Sequence, residues 1–154
     1  MQAENTQRAL QDILEDLLES TSASRTTIRL DVPIKDLHLD TVAAEALAPS
    51  VCSLRDDVSI TNLREVPTVE FLEQERRILV QNDCLTADLA VPQKLIDLYG
   101  VKAQMLGPLV CNGRLIGVVS VHYTPGPREW SDKDVDALQE AIERTQQELD
   151  SWEE

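Results

Sequence analysis

The chain has few of the residues on which most recognisable active sites depend. It contains two histidines, His38 and His122, and three cysteines, Cys52, Cys84 and Cys111, without a CxxC pair. An odd number of cysteines without paired spacing argues against a disulfide framework and a zinc cluster, so we expect reduced thiols. The sequence also lacks a glycine-rich phosphate loop, a Ser/His/Asp pattern and ligand-spaced histidines.

Basic residues and long apolar runs are scarce as well. Fourteen Lys and Arg side chains stand against 28 Asp and Glu side chains, which gives a formal net charge of −14. Such a chain repels nucleic-acid phosphates and anionic lipids, so we expect neither as a partner. No apolar run reaches the length of a membrane span, and the first residues have neither the basic start nor the apolar centre of a signal peptide. We therefore expect a cytoplasmic protein.

The chain does have the length of one ordinary domain. Its 154 residues are enough for a core, because a chain of this size buries roughly 68–70% of its unfolded surface. No internal repeat, low-complexity tract or linker marks a boundary. We therefore interpret residues 1–154 as a single domain.

Periodicity and punctuation predict the order of the elements. Apolar residues at helical spacing predict a helix near residues 5–20, with Asn5 as its cap. β-branched residues predict a strand over 26–30, and a weaker strand is expected through 37–44. Residues 48–64 carry no clear pattern. The remaining pattern predicts a short helix over 68–74, a strand over 77–81, a short helix from Pro92 to Tyr99 stopped by Gly100, and a C-terminal helix with Ser131 and Asp134 in a capping box.

A hairpin between residues 103 and 123 is the clearest local signal. Two apolar runs flank Asn112-Gly113, a dipeptide that tolerates the positive φ of a two-residue type I′ turn. The turn also predicts a register, in which these pairs face each other: Cys111 and Arg114, Leu109 and Ile116, Gly107 and Val118, Met105 and Ser120, Ala103 and His122. Neither strand alternates cleanly, so both faces of the sheet are expected to be covered.

Together these elements give an α+β plan with a mostly antiparallel sheet, and the sequence resembles the GAF domain family. The resemblance is carried by the segments RILVQND, LIDLYGVKAQ, PLVCNGRLIGVVSVHY and REWSDKDVDAL, and it covers most of the chain from Thr68 onward. It implies a central sheet of five to six strands, the two terminal helices on one face and a ligand pocket on the other. It also implies a sensory role and dimerisation through the terminal helices.

The candidate ligand-binding residues centre on His122. The segment IGVVSVHY resembles the corresponding strand of phytochrome-type members, where a histidine near this place touches the bilin; the alternative is a strand-end histidine bonded to backbone. In the predicted register Met105, Gly107 and Ser120 share its face, where small or soft side chains leave room for a ligand. This clustering predicts a cavity lined by His122, Ser120 and Met105.

Three further residues are candidates for the same pocket. Tyr99 and Gln104 would present a hydroxyl and an amide near its mouth, although a tyrosine before a helix-stopping glycine is often simply packed against the sheet. Asp83 follows a strand at the place where loops of the family fold over the pocket. Asn82-Asp83 is also ordinary turn chemistry, and this alternative is the stronger one.

The sequence lacks the motifs of the more specific functions known in the family. The Asn-Lys, Phe and Asp-Glu array of cyclic-nucleotide binders is missing, with Phe71 the only phenylalanine. The phytochrome Pro-His element is absent, and no histidine neighbours Cys84, so a covalent chromophore is not expected. We expect a non-catalytic sensory or regulatory domain that binds an unidentified small molecule. The alternatives are a thiol-dependent free methionine sulfoxide reductase, although the cysteine contexts do not match it, and a protein-interaction module with a collapsed pocket.

The terminal helices are expected to hold a homodimer. They carry apolar stripes that look wider than contact with one sheet requires. The acidic side chains of these helices must then lie on the outer faces, since like charges would crowd a shared bundle. The residues of the two stripes are Leu10, Leu14, Leu17, Leu138, Ile142 and Leu149.

Overall fold

One antiparallel sheet organises the fold. The computed structural model describes residues 2–32, 35–55 and 63–151. Its strands follow the order β2-β1-β5-β4-β3, and every neighbouring pair is antiparallel. This confirms the predicted α+β plan, with five strands in the described part. The elements are α1 Gln2–Thr21, β1 Arg25–Leu30, β2 Ala44–Leu47, α2 Pro67–Glu75, β3 Leu79–Gln81, α3 Gln93–Asp97, β4 Ala103–Cys111, β5 Arg114–Tyr123 and α4 Asp132–Asp150.

The sheet separates two cores. Helices α1 and α4 cover one face, while α2, α3 and the connecting loops cover the other. Strand β1 is buried along its whole length, because successive side chains alternate between these two layers. Ile28 and Leu30 join the core under the terminal helices, and Arg29 faces the opposite layer. Both faces of the sheet are therefore covered, as the unbroken apolar runs predicted.

Most helix predictions hold, and the errors have local causes. The capping box of Ser131 and Asp134 is confirmed at the start of α4. Helix α1 begins at Gln2, so Asn5 lies inside it and is not its cap; Gln2, Ala3 and Glu4 are good helix formers that extend the helix past it. Of the unassigned segment 48–64, residues 56–62 lie outside the described part.

The strand predicted over 37–44 is wrong in position. Strand β2 begins only at Ala44, and Leu37 instead forms an isolated bridge with Val32. Asp36, just before Leu37, is left-handed with φ 58°, and between Leu37 and Ala44 the chain forms a turn in which Thr41 N donates to His38 O. Because these turns redirect the backbone, the segment cannot run as one strand.

The hairpin has the predicted bounds and turn, but a different register. Asn112 and Gly113 adopt φ of 53° and 76°, as a type I′ turn requires. Leu109 pairs with Gly117 while Val110 pairs with Leu115, so Ile116 is an extra residue on β5. This β-bulge shifts every earlier pair by one residue. The observed pairs are Gly107 with Val119, Met105 with Val121, Leu106 with Ser120, Gln104 with His122 and Ala103 with Tyr123.

The bulge corrects the predicted pocket face. Met105 is fully buried in the core under the terminal helices, together with Val121. Gly107 also faces this layer, since a Cβ at this position would collide with Ile142 of α4. The prediction that Met105 and Gly107 share a face with His122 is therefore wrong. Gly107 makes room for a helix instead of a ligand.

The apolar stripes of the terminal helices are buried within the single chain. All six stripe residues are at most 9% exposed. The exposed large hydrophobic side chains among the described residues are Leu47, Val80, Leu85 and Leu98, none of which lies on α1 or α4. The argument for a dimer from surplus apolar surface is therefore wrong. Over the described residues, no helix combines the length and the hydropathy that crossing a bilayer requires.

A substitution at Gly117 tests how closely β1 and β5 approach each other beside the bulge. A Cβ at Gly117 would lie 2.5 Å from the carbonyl oxygen of Arg29 and 2.9 Å from side-chain carbons of Leu109 and Leu30. We predict that Gly117→Ala lowers the free energy of unfolding by about 1–3 kcal/mol, because the backbone must shift. Gly126→Ala is the control, since no heavy atom lies within 4 Å of its added Cβ. Urea denaturation measures both, and equal midpoints for the two variants would contradict the observed register.

Candidate functional site

A small cavity lies on the face of the sheet opposite the terminal helices. Its volume is about 40 Å³, which is room for a few water molecules. Strands β1, β4 and β5 form its floor, and α2 and α3 contribute to its walls. Most of the described lining residues are apolar. The polar ones are Arg29, Thr68, Gln104, Ser120 and His122.

A row of four polar side chains crosses the sheet at this cavity. Arg25 on β1 pairs with His122 on β5, His122 pairs with Gln104 on β4, and Gln104 pairs with Gln81 on β3. None of the four is more than 5% exposed. We call these residues, Arg25, His122, Gln104 and Gln81, the polar row. Buried polar groups of this kind require hydrogen-bond partners.

One half of the polar row joins Arg25 to His122. Arg25 Nη1 lies 3.0 Å from His122 Nδ1. A guanidinium can only donate, so Nδ1 must accept and the proton of the neutral ring lies on Nε2. Arg25 is held in turn by the carbonyl oxygen of Cys52, which accepts from Nε at 3.1 Å and from Nη2 at 2.7 Å. The tautomer of His122 is thus set by a fixed neighbour.

The other half of the polar row joins Gln104 to Gln81. Gln104 Nε2 donates to Gln81 Oε1 at 2.7 Å, and Gln81 Nε2 donates to the carbonyl oxygen of Leu89 at 3.0 Å. The second bond fixes the orientation of the Gln81 amide, and this fixes the orientation of Gln104. Among the described residues Gln104 Oε1 has no hydrogen-bond partner, although it is buried.

No hydrogen bond joins the Arg25–His122 pair to the Gln104–Gln81 pair in the described structure. His122 Nε2 makes no hydrogen bond within the described part of the chain, and its cross-strand neighbour Gln104 presents an unpaired acceptor. The open link is thus a donor on one side and an acceptor on the other. A group that accepts from His122 and donates to Gln104 completes the row. Ser120, the preceding inward-facing residue of β5, adds a hydroxyl to the same cavity.

The electrostatic environment of the cavity is positive. Burial lowers the pKa of the Arg25 guanidinium, against the charges of Cys52 and Glu45, which raise it. Burial, and then the charges of Arg25 and Arg29, hold the pKa of His122 well below its usual 6.5. Arg29 also donates to the carbonyl oxygen of Asp40 at 2.8 Å. A neutral imidazole beside two guanidinium groups disfavours a cationic ligand.

The structure brings together half of the predicted site residues. His122, Ser120 and Gln104 line the cavity, whereas Met105 lies on the other face. Tyr99 is half-buried outside the lining, with its ring 5.7 Å from Arg25 Cζ. Asp83 also lies outside the lining, where its Oδ1 accepts from Leu85 N at 3.0 Å in an ordinary turn.

Sequence reasoning missed the buried arginines. Arg25, Thr27 and Arg29 are spaced by two residues on β1 and are all buried. This polar alternation within a β-branched strand was the available signal that the face beneath them is not purely apolar. Gln81 and Thr68 had no such signal, since a polar residue at the end of a strand or the start of a helix is common.

Cys84 is a buried thiol that lies far from Cys111. Burial, and then the charge of Asp83, raise the pKa of the Cys84 thiol to about 12. Cys84 N donates to the carbonyl oxygen of Lys102 just before β4, whereas Cys111 ends that strand. Nine extended residues span roughly 30 Å, far beyond disulfide reach. Nor does any cluster of three or more His, Cys, Asp or Glu side chains suit a metal ion within the described ranges.

His122 makes stability depend on pH in a defined direction. Its pKa in the folded protein lies below the unfolded value near 6.5, so the unfolded chain takes up the proton first. We predict that the free energy of unfolding falls as pH drops from 7 to about 5, with a slope from this residue approaching about 1.4 kcal/mol per pH unit. In His122→Asn the slope is shallower, because Asn offers an acceptor to Arg25 without titrating. Urea melts with the exposed His38→Asn as control measure this, and equal slopes in the two variants would contradict it.

Comparison with known proteins identifies the family. Residues 5–149 match the family model of the GAF domain. No curated protein matches the sequence.

Solved structures share the fold at low sequence identity. The blue-light absorbing form of the Thermosynechococcus elongatus PixJ GAF domain is 21% identical, with a TM-score of 0.74 over 96% of this chain and 84% of that chain. The chromophore-binding domain of a bacteriophytochrome from R. palustris is 16% identical, with a TM-score of 0.74 over 96% of this chain and 56% of that chain. A far-red cyanobacteriochrome photoreceptor is 12% identical, with a TM-score of 0.70 over 97% of this chain and 88% of that chain. From the family match over nearly its whole length, the chain belongs to the GAF domain family.

Proposed function

We propose that this GAF domain is a non-catalytic sensory domain that binds a small, polar, uncharged or anionic molecule between His122 and Gln104. The molecule accepts a hydrogen bond from His122 Nε2 and donates one to Gln104 Oε1. Ser120 Oγ offers a third polar contact from the same strand. The domain acts in the cytoplasm, without nucleic acid or membrane as partner.

The open link in the polar row carries this proposal. A buried amide oxygen without a partner costs about 1–3 kcal/mol, and Gln104 Oε1 is such an atom within the described structure. In the structure the Gln81 amide nitrogen donates to the carbonyl oxygen of Leu89 and not to this oxygen. The neighbouring His122 supplies a second unpaired group of opposite character. A ligand that satisfies both groups recovers the cost of leaving them unpaired.

The size of the cavity limits the ligand. About 40 Å³ is far below the roughly 300–1,000 Å³ of pockets that hold drug-sized ligands. A molecule of a few non-hydrogen atoms is accommodated without displacing the walls. The R. palustris relative is a chromophore-binding domain, and a large chromophore does not fit this cavity as it stands.

The small volume also favours a second candidate function. Ordered water alone can bridge His122 Nε2 and Gln104 Oε1, and a cavity of this size holds water readily. The domain would then be a protein-interaction module whose pocket is collapsed. Dimerisation through the terminal helices stays a prediction of either function, although the described outer faces of α1 and α4 offer it no large exposed hydrophobic side chain.

Native mass spectrometry distinguishes the two candidates. We predict that the protein, purified gently from its source cells, retains a small molecule whose mass is seen in the intact complex. Gln104→Met reduces the retained fraction about tenfold, because a thioether accepts hydrogen bonds only weakly while filling the same space.

The matched control is Gln146→Met. Gln146 Oε1 accepts from Val110 N at 3.2 Å, on the helix face of β4 and remote from the cavity. The control should retain the molecule like the parent protein. Intact protein without any bound mass, in all three samples, would support the collapsed pocket instead.

The cysteines are predicted to do no catalytic work. At about 12, the pKa of Cys84 leaves almost no thiolate at neutral pH, and the thiolate is the reactive form. We predict no turnover of free methionine sulfoxide with a thiol reductant. Alkylation of the folded protein by iodoacetamide should modify the exposed Cys52 and spare Cys84. Turnover that disappears in Cys84→Ser or Cys111→Ser would overturn this prediction and make the reductase the primary function.

A further inference from the structure

We propose that the polar row couples the cavity to the start of the C-terminal helix α4, through Gln104, Gln81 and Trp130. This inference rests on the proposed function, since it gives a bound molecule a route to the helix that transmits its presence. The route runs from the open link to the helix cap through hydrogen bonds joined by the covalent chain of Gln81 and of residues 128–131.

Gln81 connects the cavity to Trp130 with two different groups. Its side chain accepts from Gln104 Nε2 at 2.7 Å, and its main-chain carbonyl accepts from Trp130 Nε1 at 3.2 Å. Both bonds are buried. A displacement of Gln104 toward a ligand therefore acts on the residue that holds the Trp130 indole.

The segment before α4 is docked on the end of β3 by its backbone as well. Trp130 N donates to Asn82 Oδ1 at 3.2 Å, and Arg128 N donates to the carbonyl oxygen of Asn82 at 2.9 Å. Arg128 also lies over the rings of Tyr123 and Trp130, at 4.9 Å and 4.3 Å from their centroids. The end of β3 thus fixes the position of residues 128–130.

The helix cap depends on this docked segment. Arg128 Nη2 bonds to both carboxylate oxygens of Asp134 at 3.1 Å. Asp134 also accepts from Ser131 N at 2.9 Å, while its own N–H donates to Ser131 Oγ at 3.1 Å. One carboxylate therefore serves the capping box and the salt bridge to the docked segment. Movement of the segment disturbs the first turn of α4 directly.

A bound molecule changes this network through polarisation and position. A hydrogen bond accepted by Gln104 Oε1 strengthens the donor character of its own Nε2, because linked hydrogen bonds reinforce one another. The bond to Gln81 then tightens, and the docked segment becomes better ordered. Coupling of this kind is reciprocal, so a substitution at Trp130 must change the environment of the Gln104 side chain.

Amide hydrogen exchange followed by NMR tests the forward direction on the full chain. In Gln104→Met we expect exchange of the Arg128, Trp130 and Ser131 amides and of the Trp130 indole to accelerate roughly two- to tenfold, as for loss of one hydrogen bond. The Gln146→Met control loses a bond between β4 and the C-terminal part of α4. It should leave these four protons at the parent rate. Equal rates in the parent and in Gln104→Met would overturn the coupling.

The reverse test changes Trp130 and observes Gln104, so it needs neither a ligand nor a substitution in the cavity. Trp130→Phe removes the indole donor and keeps an aromatic ring, and we expect the side-chain amide resonances of Gln104 to shift. This variant also decides the matter if Gln104→Met fails to fold. Unshifted Gln104 resonances would contradict the coupling in that case.

These results are independent of whether a molecule is found. If the parent protein retains a molecule but Gln104→Met leaves the exchange rates at residues 128–131 unchanged, the coupling is contradicted and the proposed function stands. Accelerated exchange without any retained molecule would establish the coupling and favour the collapsed pocket.

Discussion

A buried row of polar side chains in the sheet is the constraint on which the rest of the structure depends. Arg25, His122, Gln104 and Gln81 occupy positions where apolar residues would need no partners. Each must instead find a hydrogen bond in a low-dielectric interior, where an unpaired group is costly. The carbonyl groups of Cys52 and Leu89 close the two ends of the row. Within the described structure, the unpaired Gln104 Oε1 in the middle of the row is an atom that an added hydrogen-bond donor would satisfy.

The bulge at Ile116 decides which residues enter the row. Without the extra residue, Ala103 would face His122, and the Gln104 amide would point into the apolar layer beneath α1 and α4. With it, Gln104 lies opposite His122, and Met105 fills the helix-side core. A single extra residue in β5 thus places Gln104 and Leu106, instead of Ala103 and Met105, on the face of His122 and Ser120. The close approach at Gly117, beside the bulge, is the packing that accompanies this geometry.

Local structure could be predicted well from the sequence, whereas the long-range geometry of the sheet could not. Asn112-Gly113 and the Ser131 capping box were predictable because a few neighbouring residues determine them. The resemblance to the family rested on several such segments, and it implied the placement of the terminal helices on one face of the sheet. The bulge was not predictable, since Ile116 looks like any other strand residue and only its neighbours in β1 and β4 reveal the extra position. The stripes of α1 and α4 misled for a similar reason, because the helices also pack against each other and so bury more surface than one sheet contact.

The two cores border the sheet differently, since α4 packs directly on β4 while the opposite face holds the cavity. On the helix side, a Cβ on Gly107 would collide with the Ile142 side chain, so α4 packs closely on β4 there. Close-packed interiors of this kind resist small displacements. The end of β3 differs, since it is a three-residue edge strand whose last residue bonds on one side to Gln104 and on the other to Trp130. Hydrogen bonds at this edge join the polar row to Trp130, in the segment that precedes α4, and the proposed coupling follows this connection.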